Sequence, residues 1–157
     1  MSKKKYSIVY GDLLSQDVQL IVNPWNRNII PYWLLIPQGV SGAIRKKAGK
    51  VPYRELVKVG IMQLGSAVLT TAGDLPFKGI IHVAGINLFW RATEDSIRTS
   101  TRNALKIANA FSSIAFPLIG AGTGSYPPDK VQRFMIEEFA NSDYSGDIIL
   151  TIFNQKT

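Results

Sequence analysis

Short apolar segments rich in β-branched residues recur along the chain and are separated by segments with helical spacing. Turn residues bound six of the short segments, which predicts strands over Tyr6–Tyr10, Val18–Val22, Ala67–Thr71, Gly79–Ala84, Ile114–Leu118 and Asp147–Phe153. Several are apolar at successive positions, a pattern typical of strands that are covered on both faces.

Three other segments combine helical spacing with a residue type that marks a helix end. They are Ile97–Phe111 behind the acidic Glu94 and Asp95, Val131–Phe139 behind Pro127 and Pro128, and Ser41–Ala48 before Gly49. Because strands alternate with helices, we expect an α/β layered sandwich with a largely parallel sheet and some antiparallel pairing at an edge. In such sheets ligands bind beyond the carboxyl ends of the strands, where loops lead into helices.

Length and composition indicate one folded unit. The chain has 157 residues, of which 46% are hydrophobic and 18% are charged. These values predict a single domain over residues 1–157, with residues 1–5 as a basic tail. No apolar run approaches the roughly 20 residues of a membrane span, and no signal-peptide pattern follows Met1. We therefore expect a cytoplasmic protein, and we expect it to be a monomer.

The chain has no cysteine and a single histidine, His82. Disulfides, thiolate metal sites and a cysteine nucleophile are excluded, and a catalytic triad or zinc site would depend on that one imidazole. His82 falls within a predicted buried strand, so we expect a hydrogen-bonded core residue. No metal and no cofactor is predicted, and any chemistry must come from carboxylates, amides, hydroxyls or bound water.

Basic residues outnumber acidic ones. Eighteen Lys and Arg against eleven Asp and Glu give a net charge of +7, which favours polyanionic partners such as nucleic acids and nucleotides. Three of these charges belong to Lys3–Lys5, which we interpret as a solvated tail. The other cations are scattered and do not form a stripe interleaved with aromatic residues.

The segment Phe116–Pro127 runs from a predicted strand through a glycine-rich loop to a predicted helix. Glycines allow consecutive backbone N–H groups to face one anion, and a helix N-terminus adds positive potential, so a phosphate or pyrophosphate fits this segment. A tight turn that needs positive φ explains the glycines equally well. The glycine spacing differs from the dinucleotide-binding fingerprint, and the Gly-Lys-Ser/Thr of a P-loop is missing.

A second glycine-bearing loop, Pro37–Ile44, also leads into a predicted helix. Two such loops in one small domain predict a clamp around a diphosphate. Ser41 in this loop is interpreted first as a helix N-cap, whose hydroxyl accepts a hydrogen bond from a backbone amide.

Polar residues follow the first two predicted strands. Asp12 either caps a turn or accepts a hydrogen bond from an exocyclic amine such as that of adenine. Asn23, Asn26 and Asn28 are either turn residues or fixed donors and acceptors for a sugar hydroxyl or a positioned water.

Taken together, these segments resemble the macro domain family. The matching motifs keep their order over nearly the whole chain: Gly11-Asp12, Asp17-Val18, Ile21-Val22-Asn23 with Asn26, Gly39–Ile44 with Ala48-Gly49, Leu64–Ala67, Leu75-Pro76, Ile80–Gly85, Ile114–Gly122 and Tyr126-Pro127. The resemblance implies a three-layer α/β/α sandwich with a mixed, mostly parallel six-stranded sheet that binds ADP-ribose or ADP-ribosylated protein or nucleic acid.

The resemblance also implies a set of ligand-binding residues. Asp12, with Leu13 beside it, would contact the adenine amine, Asn26 would contact the distal ribose, and Phe153 or Asn154 would flank the adenine, although core packing accounts equally well for Phe153. Backbone amides in both loops would surround the diphosphate and distal ribose: those of Gly39, Val40, Ser41 and Gly42, and those of Gly120, Ala121, Gly122, Thr123, Gly124, Ser125 and Tyr126.

Two positions depart from the family pattern. Members that cleave ADP-ribose from proteins commonly carry an aspartate where this chain has Ser41, so hydrolysis here would rest on Asn26, Ser41 and the substrate's own diphosphate. The aromatic residue that often lies beside the distal ribose corresponds to Gly124, which opens that end of the site. The segment 28–37 is longer and more aromatic than usual, and Trp25, Tyr32 and Trp33 form either a lid or a local core.

Three functions remain open from the sequence. The first is a hydrolase that acts on ADP-ribosylated protein or nucleic acid, or on an acylated ADP-ribose. The second is a module that binds ADP-ribose or a related nucleotide without turnover, which Ser41 favours. The third is nucleic-acid binding through the basic surface, with single strands in the same cleft.

Overall fold

We describe residues 6–30, 33 and 39–153 of a computed structural model, and within them six strands form one sheet. The strands are β1 (Tyr6–Tyr10), β2 (Leu20–Trp25), β3 (Ala67–Thr70), β4 (Gly79–Ala84), β5 (Ser113–Phe116) and β6 (Asp147–Ile152). Their order is β1-β6-β5-β2-β4-β3, and every neighbouring pair is parallel except β3 with β4. The predicted mixed, mostly parallel sheet is therefore confirmed.

Helices cover both faces of the sheet. They are α1 (Gly39–Ala48), α2 (Val51–Val57), α3 (Glu94–Ile107) and α4 (Pro128–Asn141), with 3₁₀ turns at Leu13–Ser15 and Ala108–Ala110. None of the helices in the described ranges is long and apolar enough to cross a membrane.

Alternate residues of the central strands enter different cores, as the two-residue period of a strand requires. Leu20, Val22, Ile114 and Phe116 pack with α3 and α4, whereas Ile21, Ala115 and Ile149 pack with Ile44 and Ala48 of α1. The three-layer α/β/α sandwich is confirmed, and it explains why these strands are apolar at successive positions.

Strand β2 lies two to three residues later than its predicted span, Val18–Val22. Its register with β4 continues to the pair Trp25 and Ala84, so Asn23 and Pro24 are inside the strand and not in a following turn. Strand β5 pairs with only Leu20 and Ile21 of β2, so no residue of β5 is paired with Pro24. The N–H that proline lacks therefore leaves no hydrogen bond between β2 and β5 unmade.

Other boundaries shift for local reasons. Strand β5 ends at Phe116, before Pro117, which has no N–H for the ladder, and not at the predicted Leu118. Helix α3 ends at Ile107 and tightens into a 3₁₀ turn before Phe111. Thr93 caps it, with a reciprocal pair of hydrogen bonds to Ser96.

Helix α1 begins at Gly39, two residues before its predicted start, and it ends before Gly49, whose φ of 83° is the expected left-handed cap. Helix α2 follows directly, with Pro52 in its first turn, in a segment where the sequence pattern predicts no element.

Candidate functional site

The carboxyl ends of five parallel strands meet at one edge of the sheet. The segments that leave this edge carry Asp12, Phe153, the loop 117–127, Asn26 and the loop 85–92. The backbone N–H of Gly11 donates to the carbonyl of Ile152 at 3.0 Å, which places Asp12 beside the start of the segment at Phe153. The topology thus brings the residues predicted from the sequence to one side of the molecule.

Asp12 is exposed and organises the turn after β1. Its Oδ1 accepts a hydrogen bond from the backbone N–H of Leu14 at 2.9 Å, so the predicted turn-capping role is confirmed and Oδ2 has no partner among the described residues. Leu13 is buried in the same core as Ile44 of α1, and Val40 packs against that core. This apolar contact ties the Asp12 turn to the first turn of α1.

The first turn of α1 presents backbone amides at the same edge. Gly39 has a φ of 60°, and a Cβ there would meet no atom within 4 Å. The N–H groups of the first three residues of a helix have no intrahelical partner, so the amides from Gly39 to Ser41 are oriented donors, whereas that of Gly42, also expected to contact the ligand, is in position for the first i→i−4 bond.

Ser41 is the third residue of α1, so its interpretation as the N-cap is wrong. Its hydroxyl oxygen is buried and has no hydrogen-bond partner in the part of the chain that the structure describes. A buried hydroxyl without a hydrogen-bond partner among the described residues is uncommon.

The loop between β5 and α4 is held tightly at its base. Gly120 has a φ of 86°, and a Cβ on it would lie 2.5 Å from Cβ of Ala92. A Cβ on Gly124 would lie 2.5 Å from the carbonyl oxygen of Gly120. The N–H of Tyr126 donates to Gly120 and that of Ser125 donates to Gly122, which closes the loop. The tight-turn explanation therefore holds at the base of this loop.

The tip of the loop differs from its base. The backbone N–H groups of Gly120, Ala121, Gly122, Thr123 and Gly124 donate no hydrogen bond to any residue within the described ranges. Gly122 and Thr123 are exposed, and a Cβ on Gly122 would meet nothing within 4 Å. Five consecutive N–H groups thus have no acceptor among the described residues, with Gly122 and Thr123 exposed and Gly120 and Gly124 buried. Such a row of donors suits an anion.

Asn26 follows β2 and is 8% exposed. Its Oδ1 accepts a hydrogen bond from the backbone N–H of Asn28 at 2.7 Å, and its Nδ2 has no partner among the described residues. Asn26 also lines a cavity of about 170 Å³ together with Ile29, Ile30, Leu88 and Trp90. The carboxamide therefore presents a fixed donor at the edge of a cavity.

Asn23 and His82 form a buried polar pair beneath this edge. Asn23 Nδ2 donates to His82 Nδ1 at 2.9 Å, and the other ring nitrogen lies 2.8 Å from Thr70 Oγ1, which itself donates to the carbonyl of Thr71. Burial lowers the pKa of His82 to about 3, so the ring is neutral. The predicted core histidine is confirmed, and Asn23 supports it instead of facing a ligand.

Trp25 at the end of β2, Trp33 in the β2–α1 connection and Phe153 after β6 differ in their exposure. Trp25 is 3% exposed and packs against Tyr53 with ring centroids 5.4 Å apart, so it belongs to a local core. Trp33 is 67% exposed, and Tyr32 lies outside the described residues. Phe153 is 63% exposed, so the core-packing explanation is wrong for it, and Asn154 lies outside the described residues.

Sequence reasoning missed the loop after β4. Asn87 Oδ1 accepts hydrogen bonds from the N–H groups of Phe89 and Arg91, and Trp90 is held at a φ of 60°. The N–H of Ala92 donates to the carbonyl of Gly124 at 3.2 Å, which fixes this loop to the glycine-rich loop. The usable signal was an apolar run, Leu88-Phe89-Trp90, in a loop at the carboxyl edge of the sheet.

A family model described as Macro domain matches residues 22–135. The chain belongs to the macro domain family. The match covers β2 to α4 and includes the first turn of α1 and the glycine-rich loop 120–126.

Named relatives agree with this assignment. The macro domain is 36% identical over 135 residues to a protein of Shigella flexneri named O-acetyl-ADP-ribose deacetylase, a match that covers 80% of this chain and 72% of that one. It is 37% identical over 134 residues to an uncharacterized protein of Aquifex aeolicus, with 83% and 78% covered. Among solved structures, it is similar to an Oceanobacillus iheyensis macrodomain mutant with ADP-ribose, at a TM-score of 0.82 and 25% identity over 95% of this chain and 85% of that one.

Proposed function

We propose that this macro domain binds ADP-ribose, free or attached to a protein, a nucleic acid or an acyl group. The observation that carries the proposal is the row of backbone donors from Gly120 to Gly124, which have no partner among the described residues and lie at the same sheet edge as the first turn of α1. A diphosphate is the part of ADP-ribose that needs such donors. The solved macrodomain that holds ADP-ribose and the relatives named deacetylases support the same ligand.

The remaining residues fit the two ends of the ligand. Asp12 Oδ2 is the proposed acceptor for the adenine amine, and the exposed ring of Phe153 is the proposed neighbour of the adenine, with Asn154, the next residue in the sequence, as the alternative. Asn26 Nδ2 is the proposed donor to a hydroxyl of the distal ribose. The amides from Gly39 to Ser41 and from Gly120 to Gly124 then surround the diphosphate and the distal ribose. The N–H groups of Ser125 and Tyr126, also expected there from the resemblance, donate inside the loop instead.

Hydrolysis at this site, as proposed, uses a water held by Asn26 and Ser41 beside the substrate's own diphosphate. With an O-acyl-ADP-ribose, the water oxygen bonds to the acyl carbonyl carbon, and the ester bond to the ribose oxygen breaks. The ribose oxygen takes up one of the water protons, which gives a carboxylic acid and ADP-ribose. Neither an amide nor a hydroxyl is a base at neutral pH, so we expect turnover about two to four decades slower than with a positioned carboxylate.

Calorimetric titration with ADP-ribose tests the binding proposal. We expect a one-to-one complex, with AMP and ribose 5-phosphate each binding more weakly because each leaves half of the site empty. No heat at millimolar ADP-ribose would end the proposal.

A separate assay decides between hydrolysis and binding alone. O-acetyl-ADP-ribose, mono-ADP-ribosylated protein and mono-ADP-ribosylated DNA are each incubated with the protein, and free ADP-ribose is followed by chromatography. Release from one of them identifies the linkage. No release from any of them, with binding intact, selects the non-catalytic module.

The net charge of +7 keeps nucleic-acid binding as a second candidate function. Salt titration separates the two, because counterion release makes polynucleotide affinity fall steeply with salt whereas the affinity for one diphosphate falls little. A cytoplasmic location and a monomeric state belong to the proposal as well, and light scattering during size-exclusion chromatography tests the latter.

A further inference from the structure

The cavity beside Asn26 has mainly apolar walls. Its volume is about 170 Å³, and Ile29, Ile30, Leu88 and Trp90 line it. The two other polar side chains that border it have partners in the protein: Arg27 Nε donates to the carbonyl of Met62, and Asn87 Oδ1 accepts two backbone N–H groups. These bonds hold Arg27 and Asn87 at the border of the cavity, and the four apolar side chains that form the rest of its described lining favour an apolar occupant.

Trp90 is a rigid part of this wall. A bulky residue rarely adopts a φ of 60°, and the conformation persists only where neighbouring contacts impose it. Here the N–H of Trp90 donates to the carbonyl of Asn87 at 3.0 Å, and the N–H of Asn87 donates to the carbonyl of Arg91 at 2.9 Å. The backbone at Trp90 is thus fixed before any ligand arrives.

The wall is also attached to the loop 117–127, which is proposed to bind the diphosphate. The N–H of Ala92 donates to the carbonyl of Gly124, and both Gly120 and Gly124 pack against the methyl group of Ala92. Gly124 has no side chain to offer at this end of the site. Trp90, two residues from Ala92, supplies an aromatic surface there from a different loop.

We propose that this cavity is a subsite for an apolar acyl group carried by the distal ribose, and that it prefers four- to six-carbon acyl chains to acetyl. The inference rests on the proposed function, because it places the distal ribose at Asn26 Nδ2, on the border of the cavity. A group esterified to that ribose then continues between Leu88 and Trp90.

The size of the cavity sets the chain length. An apolar cavity of about 150 Å³ accommodates a six-carbon ring, so about 170 Å³ suits an acyl chain of up to about six carbons. An acetyl group has one methyl beyond its carbonyl and would leave most of this surface in contact with water. Each added methylene is expected to raise affinity about fourfold until the cavity is full.

The test uses stable analogues of ADP-ribose in which an amide replaces the ester, with acetyl, butanoyl and hexanoyl chains. Their affinities are measured by calorimetry beside that of ADP-ribose itself. We expect butanoyl to bind about fifteenfold more tightly than acetyl, and hexanoyl more tightly again. If ADP-ribose binds and the three analogues bind equally, the subsite is wrong and the proposed function stands. If ADP-ribose does not bind, the proposed function itself is wrong.

A matched pair of variants locates the subsite. Leu88 and Phe89 are adjacent apolar residues with exposed fractions of 60% and 81%, and only Leu88 lines the cavity. We expect Leu88→Ser to bring the ratio of hexanoyl to acetyl affinity towards one, and Phe89→Ser to leave the ratio as in the parent protein. Trp90→Asn, which tolerates the positive φ, should act like Leu88→Ser. Equal ratios of hexanoyl to acetyl affinity in the parent protein and the three variants would overturn the assignment.

Discussion

The backbone N–H of Asn28 donates a hydrogen bond to the side-chain oxygen of Asn26 over 2.7 Å. This contact fixes the orientation of the Asn26 carboxamide, since the oxygen is used and the NH₂ group remains as the donor. Asn28 is itself held at a φ of 62°, with its Nδ2 donating to the carbonyls of Leu56 and Gly60 at 2.8 Å each. A series of connected hydrogen bonds, one within the turn and two to the segment after α2, thus orients one donor at the proposed ribose end.

The substitution Asn26→Asp keeps the acceptor for Asn28 and replaces the donor by a carboxylate oxygen of the same size. We expect ADP-ribose affinity to fall about tenfold to a hundredfold, because one hydrogen bond is lost and negative charge is added near a diphosphate. Asn26→Ala should lose similar affinity and also about 1 kcal/mol of unfolding free energy, because Asn28 loses its partner. Calorimetry and thermal unfolding measure both, and parent-like affinity in the Asp variant would contradict the role of the donor.

The proposed contact between Asp12 and the adenine amine can be tested by replacing the acceptor of Asp12 with a donor. Asp12→Asn retains an oxygen for the N–H of Leu14, so the turn is expected to persist. Affinity for ADP-ribose should fall about tenfold, and the analogue with hypoxanthine in place of adenine should gain, because its carbonyl oxygen accepts from the new amide.

The matched control for Asp12 is the exposed carboxylate of Asp17, which we do not place at the site. Asp17→Asn should leave the ratio of the two affinities unchanged. If Asp12→Asn also leaves that ratio unchanged, the adenine lies elsewhere.

Substitutions of Gly122 test whether the loop 117–127 binds the diphosphate. A Cβ there meets no atom within 4 Å, and its φ is outside the left-handed range, so a side chain does not strain the loop. Gly122→Glu should abolish detectable ADP-ribose binding, since its carboxylate would face the diphosphate. Gly122→Gln has the same size without the charge and should bind more tightly than the Glu variant. Equal, parent-like affinities would place the diphosphate away from this loop.

Interactions that are local in the chain made much of this fold predictable. Strands β1 and β4 have the bounds that the apolar runs predict, because each run ends at a turn residue. The predicted span of β2 was wrong by two to three residues because Asn23 and Pro24 are typical turn residues. Only their pairing with β4, which is distant in the sequence, makes them extended.

The candidate site also has a part that the sequence predicts and a part that it does not. Glycines mark both proposed anion-binding loops directly in the sequence, because few other residues suit the backbone at Gly39, Gly120 and Gly124. The position of Trp90 depends instead on Asn87 and on the bond from Ala92 to Gly124, which joins two loops distant in the chain. No residue pattern near Trp90 indicates that contact, so its place on the wall of the cavity required the fold.

The neutral His82 makes stability depend on pH. Its pKa is about 3 in the folded protein against 6.5 for an ordinary histidine, so between these values the unfolded chain binds a proton that the folded protein does not. Stability therefore rises with pH across this window, is complete above about pH 6.5 and is lost as the pH falls towards 3, with a slope of about 1.4 kcal/mol per pH unit. Urea unfolding at a series of pH values measures this slope, and His82→Gln should reduce it even though the variant is less stable throughout. Identical slopes in the two proteins would show that His82 takes up its proton without unfolding.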